Sequence, residues 1–324
     1  MSDPFFHPVS GTVLPRFAGI PSFMRLPVVG FDHPRFGEVE AGLFGMPWDG
    51  GTSNRPGARH GPRALRDAST MLRAQNAVTG VRPFEALACA DLGDVGVNPV
   101  EQDATLAAIE AFVARMLAAG VTPLGVAGDH LCTLPVLRAF GNSGMKPGLV
   151  LLDSHTDLFP PYFGSKVLTH GNPFRSAVEE GHIDCARSIM IGMRGTMYDS
   201  ADREFAKAHG IRVVAMDEVF ARGIPDVAAE AHRIAGAGPV YLSFDIDFID
   251  PAFAPGTGTP EVGGPTSAQA IEMVRALAGL NLVGADLVEV SPPFDVGGTG
   301  SGITAWLGAS VLFEVLCLMA SGRG

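Results

Sequence analysis

Cysteine is scarce in this chain of 324 residues. Its four cysteines, Cys89, Cys132, Cys185 and Cys317, lie far apart and form no C-x-x-C pair. Neither a disulfide framework nor a zinc knuckle is therefore indicated, and reduced thiols in a cytoplasmic setting are expected. Cations are also few: 23 Lys and Arg stand against 34 Asp and Glu, a formal charge of −11. That balance argues against nucleic acid as a partner, because phosphate binding needs clustered Lys and Arg. The start, Met1-Ser2-Asp3-Pro4-Phe5-Phe6, lacks the basic region and long apolar core of a signal peptide. The most apolar late segment, Thr304 to Ala320, carries Glu314 and has no basic flank on its amino side. A buried C-terminal helix is the better reading there than a membrane span. No low-complexity tract, fixed-period repeat or linker divides the chain, and its 41 glycines and 25 prolines are scattered.

What is present suits one large core. Apolar residues make up 47% of the chain, and the charged fraction of 18% is low for the surface of an isolated monomer, which hints at surface buried in an oligomer. Residues 1–37 are rich in proline and aromatics and are expected to form an arm lying over the body or over a neighbouring subunit. Residues 38–324 read as one catalytic domain in which strands and helices alternate. Strands are expected near 39–46, 85–91, 121–127, 148–153, 187–193, 211–216, 239–245 and 281–289. Helices are expected near 61–76, 101–119, 132–140, 172–181, 199–209, 218–235, 266–279 and 302–321. Such alternation implies an α/β fold of three layers, a mainly parallel eight-stranded sheet between two layers of helices.

Four apolar runs end in polar residues able to bind ligands. Leu149-Val150-Leu151-Leu152 leads into Asp153-Ser154-His155-Thr156-Asp157, and Val240-Tyr241-Leu242-Ser243-Phe244 into Asp245-Ile246-Asp247. Leu124-Gly125-Val126-Ala127 leads to Gly128-Asp129-His130, and the run from Leu282 to Val288 leads to Glu289. Ligands of open α/β sheets bind beyond the carboxyl ends of the strands, so these residues are expected to meet there. In extended chain, residues two apart point the same way, which would aim Asp153, His155 and Asp157 to one side and Asp245 and Asp247 to another. Carboxylates crowded together repel unless cations lie between them. With His130 added, two imidazoles and four carboxylates form an O/N shell suited to a pair of divalent ions, Mn²⁺ first and Ni²⁺ as the alternative.

Other positions leave choices open. Asp129 and Asp250 read as turn-bracing acids. His170, in Thr169-His170-Gly171-Asn172-Pro173, is by spacing a cap or surface histidine before it is a mobile proton carrier at the mouth of the site. Glu289 is either a satisfied structural acid or a partner for a planar cation through two hydrogen bonds. The basic stretch from Asn54 to Arg63 reads as a helix-initiating turn whose Arg55, Arg59 and Arg63 tie loops or subunits together.

These motifs, in this order, resemble the ureohydrolases, the arginase and agmatinase superfamily, and most closely the branch acting on guanidino acids. The resemblance runs from about Pro15 to the C-terminus through the Gly-Asp-His turn, Asp-x-His-x-Asp, Ser-Phe-Asp-x-Asp-x-x-Asp-Pro, His-Gly-x-Pro and Val-Glu-Val-Ser-Pro-Pro. It implies one metal on His130, Asp153, Asp157 and Asp245 and another on Asp153, His155, Asp245 and Asp247. It also implies a hydroxide that Asp157 orients, a guanidinium held by Glu289, proton transfer by His170, urea as product, and trimers or hexamers.

The departures concern the substrate. Ser154 stands where the family usually has Ala, which reads as a small change. Phe159 stands where arginase-like members place a polar residue, within the stiff apolar run Leu158-Phe159-Pro160-Pro161-Tyr162-Phe163, and Ile191 to Tyr198 lacks the acids that hold an amino-acid head. Arginine would leave its charged head unpartnered there, so a different guanidino compound is expected. A guanidino acid or agmatine-like substrate fits the resemblance; an alkylated guanidine or biguanide, as in the nickel-dependent metformin hydrolases, fits Phe159. A silent partner of a paralogue in a hetero-oligomer would be expected to have lost ligands, and all six are present. A one-zinc deacetylase of related fold would need adjacent histidines, and no two of the nine are adjacent.

Overall fold

The computed structural model describes residues 2–161, 163–164, 166–297 and 302–322. In chain order its elements are β1 (Ala41–Met46), α1 (Gly61–Ser69), α2 (Pro83–Ala86), β2 (Cys89–Asp94), α3 (Gln102–Ala118), β3 (Thr122–Ala127), α4 (Thr133–Asn142), β4 (Gly148–Leu152), α5 (Pro173–Glu179), β5 (Ile189–Met193), α6 (Ala201–His209), β6 (Arg212–Ala215), α7 (Met216–Arg222), α8 (Ile224–Ala235), β7 (Val240–Asp245), α9 (Ser267–Ala276), β8 (Leu282–Val288) and α10 (Ile303–Ser321). The eight strands form one parallel sheet in the order β2-β1-β3-β8-β7-β4-β5-β6.

Both faces of the sheet are covered, which explains why its strands read as unbroken apolar runs. Side chains alternate between two cores: Val150, Leu152, Leu242 and Phe244 join one face with α1, α7, α8, α9 and α10, while Leu149, Leu151, Met190 and Tyr241 join the other with α3, α4 and α5. Helix α10 is long and apolar enough to cross a membrane, but 78% of its most apolar window is buried in the fold. It packs on α1, α9 and β8, which makes it a core helix.

Three expected elements differ from those observed. The helix expected over 218–235 is two helices, because Gly223 takes φ +84° and Pro225 sits in the first turn of α8, where its ring is tolerated only at a helix start. The strand expected from residue 85 begins at Cys89, since Pro83 opens the short helix α2. Helix α1 stops at Ser69 rather than continuing to 76.

Residues 2–37 follow the body and include short 3-10 turns at Pro4–Phe6 and Phe23–Arg25. Phe6, Phe23, Met24, Leu26 and Val29 are buried, whereas Val13, Phe17 and Ile20 are exposed. Val28 bridges to Asp91 on the free edge of β2, with Val29 N–H donating to the Asp91 carbonyl (2.9 Å) and Asp91 N–H to that of Pro27 (3.0 Å). The Asp91 carboxylate accepts from Phe23 N–H (2.9 Å) and from Arg66 Nε (2.8 Å).

Candidate metal centre and substrate cavity

Strands β3, β8, β7 and β4 are neighbours in the middle of the sheet. Their carboxyl ends carry, respectively, His130, Glu289, Asp245 with Asp247, and Asp153 with His155 and Asp157. The chain bends sharply at each end, and hydrogen bonds from side chain to backbone set the bends. Asp153 Oδ1 accepts from His155 N–H (2.7 Å), Asp245 Oδ1 from Asp247 N–H (2.8 Å), and Asp129 Oδ1 from Leu131 N–H (3.1 Å). Convergence therefore comes from turns capped by aspartate, not from the two-residue alternation of extended chain expected above. Gly128 makes one bend possible, since a Cβ there would lie 1.9 Å from the Trp48 carbonyl oxygen.

Two overlapping groups of ligand atoms result, His130 with Asp153 and Asp157, and Asp153 with His155 and Asp247; within each, all atoms lie within 4.8 Å of one another. His130 Nδ1 is 3.0 Å from Asp157 Oδ2, 3.2 Å from Asp245 Oδ2 and 3.3 Å from Asp153 Oδ2. It nevertheless hydrogen-bonds to none of them, and Asp153 Oδ2 is a second buried atom without a partner. The opposite nitrogen, Nε2, lies 2.9 Å from Ser243 Oγ. That hydroxyl donates to Asp286 Oδ1 (2.6 Å), so it accepts from Nε2–H, and this network assigns a bare lone pair to Nδ1. Asp286 is held in turn by Tyr241 OH and Thr133 Oγ1, both at 2.7 Å. A nitrogen lone pair facing three carboxylates is a place for a cation, and the donor set fits divalent metal.

The electrostatics show the same need for positive charge, since the cluster draws a proton onto its histidines where no other cation sits. Burial raises Asp153 to about 6, helped by Asp247 and Asp157, and burial likewise pushes Asp245 well above the carboxylate range, helped by Asp247 and Asp153. Burial opposes the charged forms of His130 and His155, yet the surrounding aspartates outweigh it and raise both well above 6.5. Asp247 is held below its ordinary value despite burial, by His155 and by Ser154. Ser154 is thus more than a small change from Ala: its hydroxyl donates to Asp247 Oδ1 at 2.6 Å and its N–H does so at 3.2 Å.

Glu289 takes a left-handed backbone, φ +64°, and Asp157 does so at +50°. Glu289 Oε1 accepts from His130 N–H and faces His170 Nδ1, both at 2.9 Å. Its Oε2 is buried and has no hydrogen-bond partner among the described residues. Of its two oxygens, Oε2 is thus the one left for a guanidinium. His170 is buried rather than at the surface, and its Nε2 accepts from Ser53 N–H (3.1 Å) and lies 2.7 Å from Ser53 Oγ. Nor does it keep an ordinary pKa. Burial acts against its charge, but Glu289 overcomes that and lifts it to about 9.

A cavity of about 260 Å³ opens over these groups, lined among others by Ser53, Asp157, Phe159, His170, Met197, Tyr198, Thr259, Glu261 and Glu289. Phe159 thus lies on its wall, while Tyr162 of the same run lies outside the described residues. No lysine or arginine is among the described lining residues. Nearby arginines are turned to backbone or to acids: Arg55 donates to the Thr257 (2.6 Å) and Gly258 (3.3 Å) carbonyls, and Arg59 pairs with Asp49. A larger cavity of about 460 Å³ at the amino end of the sheet, around Phe140, Met145 and Leu318, has no titratable side chain among its described lining residues. Asp129 braces Gly51 N–H (2.6 Å) and Asp250 a turn through Gly263 N–H (2.8 Å), as expected of structural acids. Ser53, Thr259 and Glu261 escaped the sequence reading because each comes from a segment with no ligand motif, and Ser243 and Asp286 because they stand inside the strand runs that lead to the ligands.

A sequence profile described as the Arginase family matches residues 39–318. Over 99% of this chain and 98% of its own, guanidinopropionase of Pseudomonas aeruginosa is 51% identical, and guanidinobutyrase of the same organism is 45% identical over 98% of each chain. Among solved structures, proclavaminate amidino hydrolase from Streptomyces clavuligerus superposes with a TM-score of 0.88 at 37% identity, over 95% of this chain and 99% of that one.

Proposed function

The chain belongs to the arginase family, whose hydrolase activity on guanidino compounds it shares, and from that premise we propose a two-metal ureohydrolase that cleaves a C–N bond of a small guanidinium other than arginine and releases urea. The observation that carries this reading is Glu289 Oε2, a buried, unpartnered acceptor at the rim of the His/Asp cluster. Two divalent ions held by His130, Asp153, Asp157 and Asp245 and by Asp153, His155, Asp245 and Asp247 would acidify water enough to supply a nucleophile near neutral pH.

The chain's own groups do the remainder. Glu289 Oε2 accepts an N–H of the guanidinium, a charge-assisted bond that fixes the carbon against the cluster. Asp157 orients the attacking water and takes its proton. When the C–N bond breaks, the departing nitrogen needs a proton; His170, raised to about 9, holds one at neutral pH at the cavity wall. Water and substrate thereby become urea and an amine.

The relatives' names support a guanidino acid. The cavity favours a second reading, an alkylated guanidine or biguanide: Phe159 and Met197 line it, and a carboxylate tail finds no described lysine or arginine there. Assembly into trimers or hexamers is supported by the exposed apolar side chains of Val13, Phe17 and Ile20. The test is metal content together with urea, ammonia and amine measured separately over a panel of guanidino compounds, with Mn²⁺ and Ni²⁺ compared. Two ions per chain and urea with amine are expected. One tightly held ion, or ammonia without urea, would sink the proposal.

A further inference from the structure

Glu261 lies beside the cluster, and the mechanism above does not use it. We propose that Glu261 is a positioning residue for His155, and that the loop from Thr257 to Val262 braces the half of the centre formed by His155 and Asp247; the inference rests on the two-metal reading.

His155 points one nitrogen, Nδ1, at the cluster, 3.1 Å from Ser154 Oγ, 3.2 Å from Asp247 Oδ2 and 3.6 Å from Asp153 Oδ1. Its other nitrogen, Nε2, faces Glu261 Oε1 at 4.0 Å, longer than a direct hydrogen bond but on the side where the ring's N–H must point. An imidazole that gives its Nδ1 lone pair to a cation carries its hydrogen on Nε2, and a carboxylate on that side fixes both tautomer and ring direction. The need is greater here than at His130, whose Nε2 is bonded to Ser243 inside the sheet, because the His155 side chain is 24% exposed on the cavity wall.

Three features hold Glu261 in place. Gly195, at φ +80°, leaves the room: a Cβ there would lie 2.4 Å from the Glu261 carboxyl carbon. Arg194 fixes the backbone, with Nη2 donating to the Glu261 (2.8 Å) and Asp247 (2.7 Å) carbonyls and Nη1 to those of Phe248 (3.0 Å) and Gly192 (3.2 Å). One guanidinium thus ties the loop to the backbone of ligand Asp247. From the same loop, Thr259 Oγ1 donates to Asp247 Oδ2 at 3.3 Å. The loop therefore reaches His155 and Asp247, the two ligands assigned to the second ion alone.

The experiment is Mn²⁺ titration of the purified full-length protein by calorimetry, with bound metal counted after gel filtration. Glu261→Gln, which keeps size and removes charge, should weaken one of the two ions about 10- to 100-fold and leave the other unchanged. Glu261→Asp should recover part of the loss. If Glu261→Gln holds both ions as tightly as the native protein, or loses both equally, the positioning role is overturned while the two-metal reading stands. A native protein that binds a single ion overturns both.

Discussion

Replacing Glu289 by glutamine removes one charge and almost no volume. The amide oxygen can still accept from His130 N–H and face His170 Nδ1, as Oε1 does at 2.9 Å, so fold and metal content should persist. Two things are lost. The open Oε2 becomes an NH₂ facing a cation, which forfeits a hydrogen bond to a charged group of about 1.5–3 kcal/mol, or roughly 10- to 150-fold in kcat/KM at 1.4 kcal/mol per decade. His170 also loses the carboxylate that holds its pKa near 9. If that pKa returns to about 6.5, the protonated fraction at pH 8 falls from about nine-tenths to about one-thirtieth, a further ~30-fold. The two losses share a site and will not multiply fully, so ~10²- to 10³-fold is expected at pH 8. At pH 6 His170 is largely protonated in both proteins, and the native-to-variant ratio should shrink toward the hydrogen-bond factor alone. The assay is steady-state urea release at both pH values with metal content checked. A variant within threefold of native at pH 8, or a ratio that does not shrink toward pH 6, would refute the reasoning.

The remaining predictions concern His170 and Phe159. Because the folded pKa of His170 is raised to about 9, its proton is present below that pH and lost above it, so kcat/KM should fall on an alkaline limb near pH 9. His170→Ala should cost about 10²- to 10³-fold and abolish that limb; a limb that survives the substitution belongs to another group. Phe159→Asn should lower the preference for alkyl-bearing guanidines by about five- to tenfold, from roughly 50 Å² of apolar contact at ~25 cal/mol per Å², without changing metal content. An unchanged substrate ranking would remove Phe159 from the specificity wall.

The strands were legible because a parallel sheet covered on both faces writes itself as apolar runs, and each of the four central runs ended in its own acid or histidine. The break between α7 and α8 was also written, in Gly223-Ile224-Pro225, but an apolar period that continues across it masks it. The His/Asp cluster could be read because turns capped by aspartate need short, dense motifs. The supporting groups could not. Asp286 lies in the middle of β8 and is tied to His130 only through the Ser243 hydroxyl on β7, a pairing set by strand order. The raised pKa of His170 likewise depends on a carboxylate 119 residues away.

Asp91 carries a consequence beyond the active site. An edge strand presents unpaired N–H and C=O groups that can recruit a strand from another molecule. On the outer edge of β2, Asp91 turns those groups inward upon the chain's own beginning: its backbone exchanges hydrogen bonds with Pro27 and Val29, and its side chain holds Phe23 N–H and Arg66 together. Residues 23–29 are thereby seated as a guard along one margin of the sheet. Losing them would leave the catalytic groups at the sheet's centre in place while opening that margin to its neighbours, so solubility and activity would part company.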